Sequence, residues 1–242
     1  MRVLDLFSGI GGFSLGLERA GMETVAFCEY DEKCRQVLTK HWPDVPQYND
    51  VRTLTGEQLE QDGIGDIGLI CGGFPCQDVS FAGTGEGLDG ERSGLWADFG
   101  RLIGEIRPDY AIIENVTALL VRGLDRILGD LAALGYDAEW HCIPASHVGA
   151  PHQRDRVWVV ASNTLRVRPS RQGGRIQSVN SAAAAYREAS GLVDAFQGGA
   201  LPYVCGRHDG VSGEMDRLKQ LGNAVDPIIP EIIGRAIMES SK

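Results

Sequence analysis

The sequence predicts an α/β fold, a doubly wound and mostly parallel sheet that carries a small irregular inserted region. Three observations predict it. Over residues 1–134, apolar runs of strand length alternate with helix-length amphipathic stretches. Several of those runs break on glycine or on a carboxylate, where open α/β sheets keep their ligands. Beyond residue 161 the periodicity is lost, and it returns only in an apolar-faced helix after Pro227. A chain of 242 residues has room for one sizeable domain with an insertion. We divide it into a main domain at 1–161, an inserted region at 162–219, and a C-terminal segment and helix at 220–242 that packs back on the main domain.

In order, residues 2–7 read as a strand that runs into Ser8-Gly9-Ile10-Gly11-Gly12 and then an amphipathic stretch ending at Ala20-Gly21. Strand, glycine turn and helix form a cradle in which backbone N–H groups at the helix start face a ligand. The spacing is not that of a dinucleotide fingerprint, because position 14 is Ser14. Residues 23–28 form the next strand, and Glu29 follows it, twenty residues after Gly9. An acid at that place accepts hydrogen bonds from ribose hydroxyls. Asp31 caps a helix at 32–41, and a short extended piece then leads to Asn49-Asp50-Val51, where a strand end meets an adenine ring. Glycine, Glu29 and Asp50 at three strand ends point to an adenosine-type cofactor.

Residues 66–72 are a buried strand that breaks on Gly72-Gly73 and delivers Phe74-Pro75-Cys76-Gln77. Glycine permits close backbone approach and Pro75 fixes the direction of the next residue. Taken alone, a cysteine at this place is more often a small buried hydrophobe than a nucleophile. Gly83, Gly85, Gly87, Gly90 and Gly94 then read as a mobile lid. Residues 95–106 are helical, 110–113 are a strand ending in Glu114-Asn115-Val116, and 117–134 read as one helix stopped by Gly135. Strands follow at 136–143 and 156–161. Arg154 and Arg156 stand two apart and are expected on one strand face.

Net charge is −10, but it is unevenly spread. Residues 1–110 hold 9 basic and 19 acidic side chains, whereas 154–187 hold 7 arginines against the single acid Asp155. An arginine-only segment on an acidic body is what a phosphate-facing surface looks like. Six cysteines at 28, 34, 71, 76, 142 and 205 form no Cys-x-x-Cys pair, so neither structural zinc nor a disulfide framework is expected. No run of about 18 apolar residues predicts a membrane span. The start of the chain has no signal-peptide pattern, and the expectation is a reducing cytoplasm, in a bacterial or phage-infected cell.

Asp5-Leu6-Phe7-Ser8-Gly9-Ile10-Gly11-Gly12, Gly73-Phe74-Pro75-Cys76-Gln77, Glu114-Asn115-Val116, Gln153-Arg154-Asp155-Arg156 and Gly222-Asn223-Ala224-Val225 occur in this order. Together they resemble the DNA (cytosine-5)-methyltransferase family, of bacterial or phage type, over about three quarters of the chain. The resemblance implies a Rossmann-like S-adenosylmethionine-dependent methyltransferase fold. It implies methyl transfer from S-adenosylmethionine to C5 of a flipped cytosine in double-stranded DNA.

By that resemblance Cys76 is the nucleophile, Glu114 the acid at the base with a raised pKa, Arg156 the contact to the base oxygen, and Arg154 its support. Phe7, Gly9, Ile10 and Gly11 take the methionine and sugar end of the cofactor, Glu29 the ribose, and Tyr30, Asp50 and Val51 the adenine. Pro75, Leu95, Asn223 and Val225 complete the cofactor site. Gln77, Ser80, Asn115, Arg166, Arg168 and Arg171 are expected against the DNA, and no metal is expected. The family usually inserts a longer target-recognition region than 162–219, which implies a short or degenerate recognition site, or help from elsewhere. Action as a monomer is expected, with or without a companion restriction endonuclease. The competing readings are an RNA cytosine-5 methyltransferase of the same fold, an inactive cofactor- or DNA-binding module, and a nicotinamide-dependent dehydrogenase.

Overall fold

Strand β1 (Arg2–Leu6) lies near the middle of a seven-stranded sheet in the computed structural model, which describes residues 1–75, 94–150, 153–167 and 224–240. The other strands are β2 (Glu23–Cys28), β3 (Gln47–Tyr48), β4 (Ile67–Gly72), β5 (Tyr110–Val116), β6 (Tyr136–Pro144) and β7 (Asp155–Asn163). Their spatial order is β3-β2-β1-β4-β5-β7-β6. The first five pair in parallel, as their near-continuous apolar character predicts, because helices cover both faces. From β1 the chain moves outward to β2 and β3, then returns to β4 on the other side. A ligand crevice is expected beyond the carboxyl ends of β1 and β4, at that reversal.

One face is covered by α1 (Gly12–Arg19) and by the C-terminal helix α7 (Ile228–Ser240). Phe13 and Leu17 of α1 meet Ile229, Ile232, Ile233 and Ile237 of α7 in one apolar cluster. Each such side chain contributes roughly 1.5–3 kcal/mol when fully buried. The other face is covered by α3 (Gly56–Gln61), α4 (Leu95–Ile106), α5 (Leu119–Arg122) and α6 (Leu124–Ala133). Trp96, Phe99, Leu102 and Ile103 of α4 are fully inside that second cluster, following the helical period of the sequence. Between β2 and β3, α2 (Glu32–His41) is capped as expected by Asp31, whose carboxylate accepts from the amides of Lys33 and Cys34.

The structure corrects four expectations. The helix expected over 117–134 is two helices, broken at Gly123, whose φ of 149° is incompatible with helix continuation. Sheet pairing continues to Asn163, so Ser162 and Asn163 belong to β7 and not to an irregular insertion. Arg154 precedes β7 with φ of 27°, so the two-residue alternation from Arg154 to Arg156 does not apply. Helix α3 was not anticipated, although Thr55-x-x-Gln58 is a helix-start signature and the Thr55 hydroxyl does accept from the Gln58 amide. Strands β6 and β7 are antiparallel to each other, and β7 is antiparallel to β5. Among the described residues no helix is long and apolar enough to cross a membrane.

Candidate active site

The glycine turn after β1 is built on left-handed backbone. Phe7 has φ of 53°, Gly9 of 55° and Gly11 of 88°. Only glycine adopts such angles without cost, so Phe7 holds strain of about 1–2 kcal/mol. Its ring stacks on Phe99 with centroids 6.3 Å apart. A Cβ at Gly9 would meet nothing within 4 Å, so that position faces open space, and its backbone angle is what demands glycine. At Gly11 a Cβ would strike the Trp42 ring at 2.6 Å, and at Gly12 the Val225 carbonyl at 2.3 Å. The turn is therefore clasped from behind by Trp42 and by the segment leading into α7. Trp42 is itself held by its indole N–H, which donates to the Glu18 carboxylate at 2.9 Å. Helix α1 begins at Gly12 with no side-chain cap from Gly11; the Ser14 amide and hydroxyl turn toward the buried Asp5 carboxylate, which leaves the Gly12 and Phe13 amides for a ligand.

Glu29 sits opposite this turn. Its Oε2 accepts from the Gly9 amide and its Oε1 from the Asp31 amide, each at 2.7 Å. Each carboxylate oxygen has a second lone pair, so the same group still accepts from a ribose hydroxyl. Arg35 of α2 fixes the backbone here, donating to the carbonyls of Glu29 at 2.9 Å and Tyr30 at 2.6 Å. Tyr30 is exposed, with the Arg52 guanidinium 5.8 Å from its ring centre. Arg52 also grips both oxygens of Asp50, which holds that carboxyl below the usual range. Val51 is buried. An open glycine turn with a carboxylate able to accept from hydroxyls and an exposed ring fits an adenosine-bearing cofactor.

The second half of the site lies where β4 ends. A Cβ at Gly72 would meet the Leu6 carbonyl at 2.4 Å, and one at Gly73 would meet Glu114 Oε2 at 2.7 Å. These glycines make room for the neighbouring strand and for Glu114. Glu114 is 8% exposed, and burial pushes its pKa up, while the positive charges of Arg156 and Arg154 pull it down. Arg156 Nε stands 3.0 Å from Glu114 Oε1. Because β7 runs antiparallel to β5, its first residues return to the carboxyl end of the parallel strands, where Arg156 pairs with Val116. Asn115 is buried and turned inward. Its Nδ2 donates to the Phe74 carbonyl at 3.2 Å and its Oδ1 accepts from the Val116 amide at 2.8 Å. It fastens the Phe74-Pro75 backbone to β5, so its side chain is not presented to a substrate as the sequence reading expected.

Of the other expected site residues, Ile10 and Pro75 are half-buried at the two turns, and Val225 packs against Gly12. Leu95 starts α4 and packs on the core cluster of that face. Arg166 is not brought to this end. It follows β7, whose far end pairs with Tyr110 at the start of β5, and it faces Asp109 at 3.7 Å. With about 3.3 Å of rise per residue, roughly 20 Å of strand separates it from Arg156. Cys76, Gln77, Ser80, Arg168, Arg171 and Asn223, and the lid expected over 83–94 apart from Gly94, lie outside the described residues. Sequence reasoning missed Trp42, Arg35 and Arg101, which hold the loops from behind. No motif marks them, since what ties them to these loops is contact with backbone carbonyls and with Gly11 across the fold. Among the described residues no cluster of three or more His, Cys, Asp or Glu side chains could hold a metal.

Residues 1–185 match the family model for C-5 cytosine-specific DNA methylase. The chain belongs to that family. It is 37% identical over 170 residues to the Type II methyltransferase M2.BsuMI of Bacillus subtilis, covering 67% of this chain and 42% of that one. It is 36% identical over 162 residues to the Type II methyltransferase M.CviJI of Paramecium bursaria Chlorella virus IL3A, covering 66% and 42%. The chain spans about two fifths of the length of the curated relatives it matches. Among solved structures, a chain of an E. coli prophage, provisionally described as a DNA modification methyltransferase, superposes with a TM-score of 0.68 at 20% identity and covers 99% of both chains. Spodoptera frugiperda DNMT2 gives 0.58 at 23% identity, over 72% of this chain and 53% of that one. These two likenesses bear on the fold.

Proposed function

We propose that this methylase-family chain transfers a methyl group from S-adenosylmethionine to C5 of cytosine in double-stranded DNA, with Cys76 as the nucleophile. The observation that carries the proposal is Glu114. A buried carboxyl with a raised pKa, held by Arg156 and lying against the Gly73 turn that leads to Cys76, is what cytosine chemistry needs. Cytosine C5 is too weak a nucleophile to take a methyl group unaided. The Cys76 thiolate adds to C6, and Glu114 gives a proton to N3 so that the ring becomes an enamine with electron density at C5. When bound, S-adenosylmethionine would supply an electrophilic methyl group on a sulfonium, which C5 would take as the S–CH3 bond breaks and the neutral thioether leaves. The C5 proton is then lost to base, the S–C6 bond breaks, the proton on N3 returns to Glu114, and 5-methylcytosine is released.

On this chain the turn from Gly9 to Gly12, with the first amides of α1, would hold the methionine and sugar end of the cofactor. Glu29 would hold the ribose, and Tyr30, Asp50 and Val51 the adenine. Arg156 keeps Glu114 in place and Arg154 adds positive charge beside it. The two carboxyl ends of β1 and β4 bring these halves side by side. C5 and C6 are shielded inside a duplex, so the base is taken out of the stack to reach them. The arginines of 168–187 would act as phosphate contacts in the segment beyond β7.

Transfer of labelled methyl to unmethylated duplex DNA, followed by base analysis, tests the reading. Label on 5-methylcytosine in DNA is expected. Label only in RNA would move the substrate class, and none in either would overturn the assignment.

A further inference from the structure

Helix α4 is the first described element after the segment that bears Cys76, and one of its side chains reaches across to the opposite half of the site. Arg101 NH2 donates to the Val51 carbonyl and NH1 to the Leu54 carbonyl, each at 2.9 Å. The same guanidinium pairs with Asp98 at 3.3 Å and Glu105 at 3.0 Å, one turn to either side on α4. Glu105 in turn accepts from the Gly56 amide at 2.8 Å, at the start of α3. The loop between β3 and α3 thus receives two contacts from one helix, and the first residue of α3 a third. That loop carries Asp50 and Val51, and its outer side is gripped by Arg52.

We infer that Arg101 is a positioning residue that fixes the loop of Asp50 and Val51 for the adenine of the cofactor, tying it to the helix that follows the nucleophile's segment. The inference rests on the proposed cofactor reading. Guanidinium is the group this needs. Its planar fork donates to two carbonyls about one helical turn apart while still facing two carboxylates, which a single ammonium cannot do. The partners of Arg101 are the Val51 and Leu54 carbonyls and the Asp98 and Glu105 carboxylates, so it acts through the loop and not on the ligand.

The test compares Arg101→Lys with wild type by calorimetric titration of S-adenosylmethionine and by thermal unfolding without cofactor. Lysine retains the charge that pairs with Asp98 and Glu105, so the melting temperature is expected to stay close to wild type. One charge-assisted hydrogen bond to the loop is lost, and Kd is expected to rise about tenfold. In turnover, KM for the cofactor should rise while KM for DNA stays unchanged. Wild-type affinity in Arg101→Lys overturns the inference. So does an equal loss of melting temperature and affinity, which would make Arg101 a general stabiliser. Absence of cofactor binding by the wild type would instead overturn the proposed function, and this inference with it.

Discussion

Replacing Arg156 by leucine separates the ion pair from the buried acid, and the structure sets the size and the pH dependence of the effect. Arg156 and Glu114 are 3.0 Å apart, with side chains 23% and 11% exposed. Exposed pairs contribute about 0–1 kcal/mol, and breaking a fully buried one costs about 3–5 kcal/mol. A pair this far inside should cost about 2 kcal/mol where Glu114 is ionised. Burial has already raised the Glu114 pKa, so ionised Glu114 lowers stability, and protonation relieves that cost as pH falls through the folded-state value. Without Arg156 the folded pKa rises further. The destabilisation should therefore be largest where Glu114 is ionised and shrink as pH falls through its raised folded-state pKa, below which both proteins carry a neutral Glu114. Urea unfolding of wild type and variant across that range measures it. A second change, Glu114→Gln, should recover much of the loss at high pH. A loss independent of pH, or no recovery in the double variant, would refute the claim that Arg156 offsets a buried charge.

Two further outcomes follow from buried groups. Asp5 is fully buried, its Oδ1 lacks a hydrogen-bond partner among the described residues, and burial, opposed by the Ser14 hydroxyl, pushes its pKa up to about 7. The folded state then takes up a proton that the unfolded chain gives up near pH 4, so stability falls as pH rises from about 4 to about 7 and is level above. Asp5→Asn should remove that slope. It should gain about 1–3 kcal/mol at about pH 8, after the cost of a buried amide, and measured stability–pH curves that run parallel would refute this. Gly12→Ala would set a methyl 2.3 Å from the Val225 carbonyl, so the segment entering α7 must move. A cost of about 1–3 kcal/mol and faster amide hydrogen exchange in α7 are expected, and unchanged exchange would contradict the docking described.

What the sequence made legible was what it encodes in local pattern. The buried strands announce themselves as apolar runs, and the Asp31 cap and the helix of Leu95–Ile106 stand where period and capping chemistry put them. Gly9 and Glu29 could be paired from spacing, because an acid at the end of the next strand has few other neighbours. Less legible was anything set by tertiary contact. Gly123 breaks a helix that its flanking residues would otherwise continue. Arg154 leaves the strand because of its backbone angle. Asn115 turns inward to hold Phe74, although a polar residue beside Glu114 reads as a substrate contact. Gly73 is required by the Glu114 carboxylate, a relation between residues forty-one apart that no spacing rule records. Arg166 belongs to an arginine-rich run, and only the direction of β7 carries it to the far end of the sheet.

The central claim is that Cys76 attacks cytosine beside Glu114, and adduct formation tests it most directly. Duplex DNA carrying 5-fluorocytosine allows the thiolate to add and the methyl group to transfer, but fluorine at C5 cannot leave as a proton does, so the enzyme stays bonded to the base. Incubated with S-adenosylmethionine, the wild type should form a denaturation-resistant complex joined through Cys76, Glu114→Gln should form it far more slowly, and Cys76→Ala should form none. A complex that persists in Cys76→Ala, or methyl transfer to DNA that leaves no adduct in the wild type, would contradict the account.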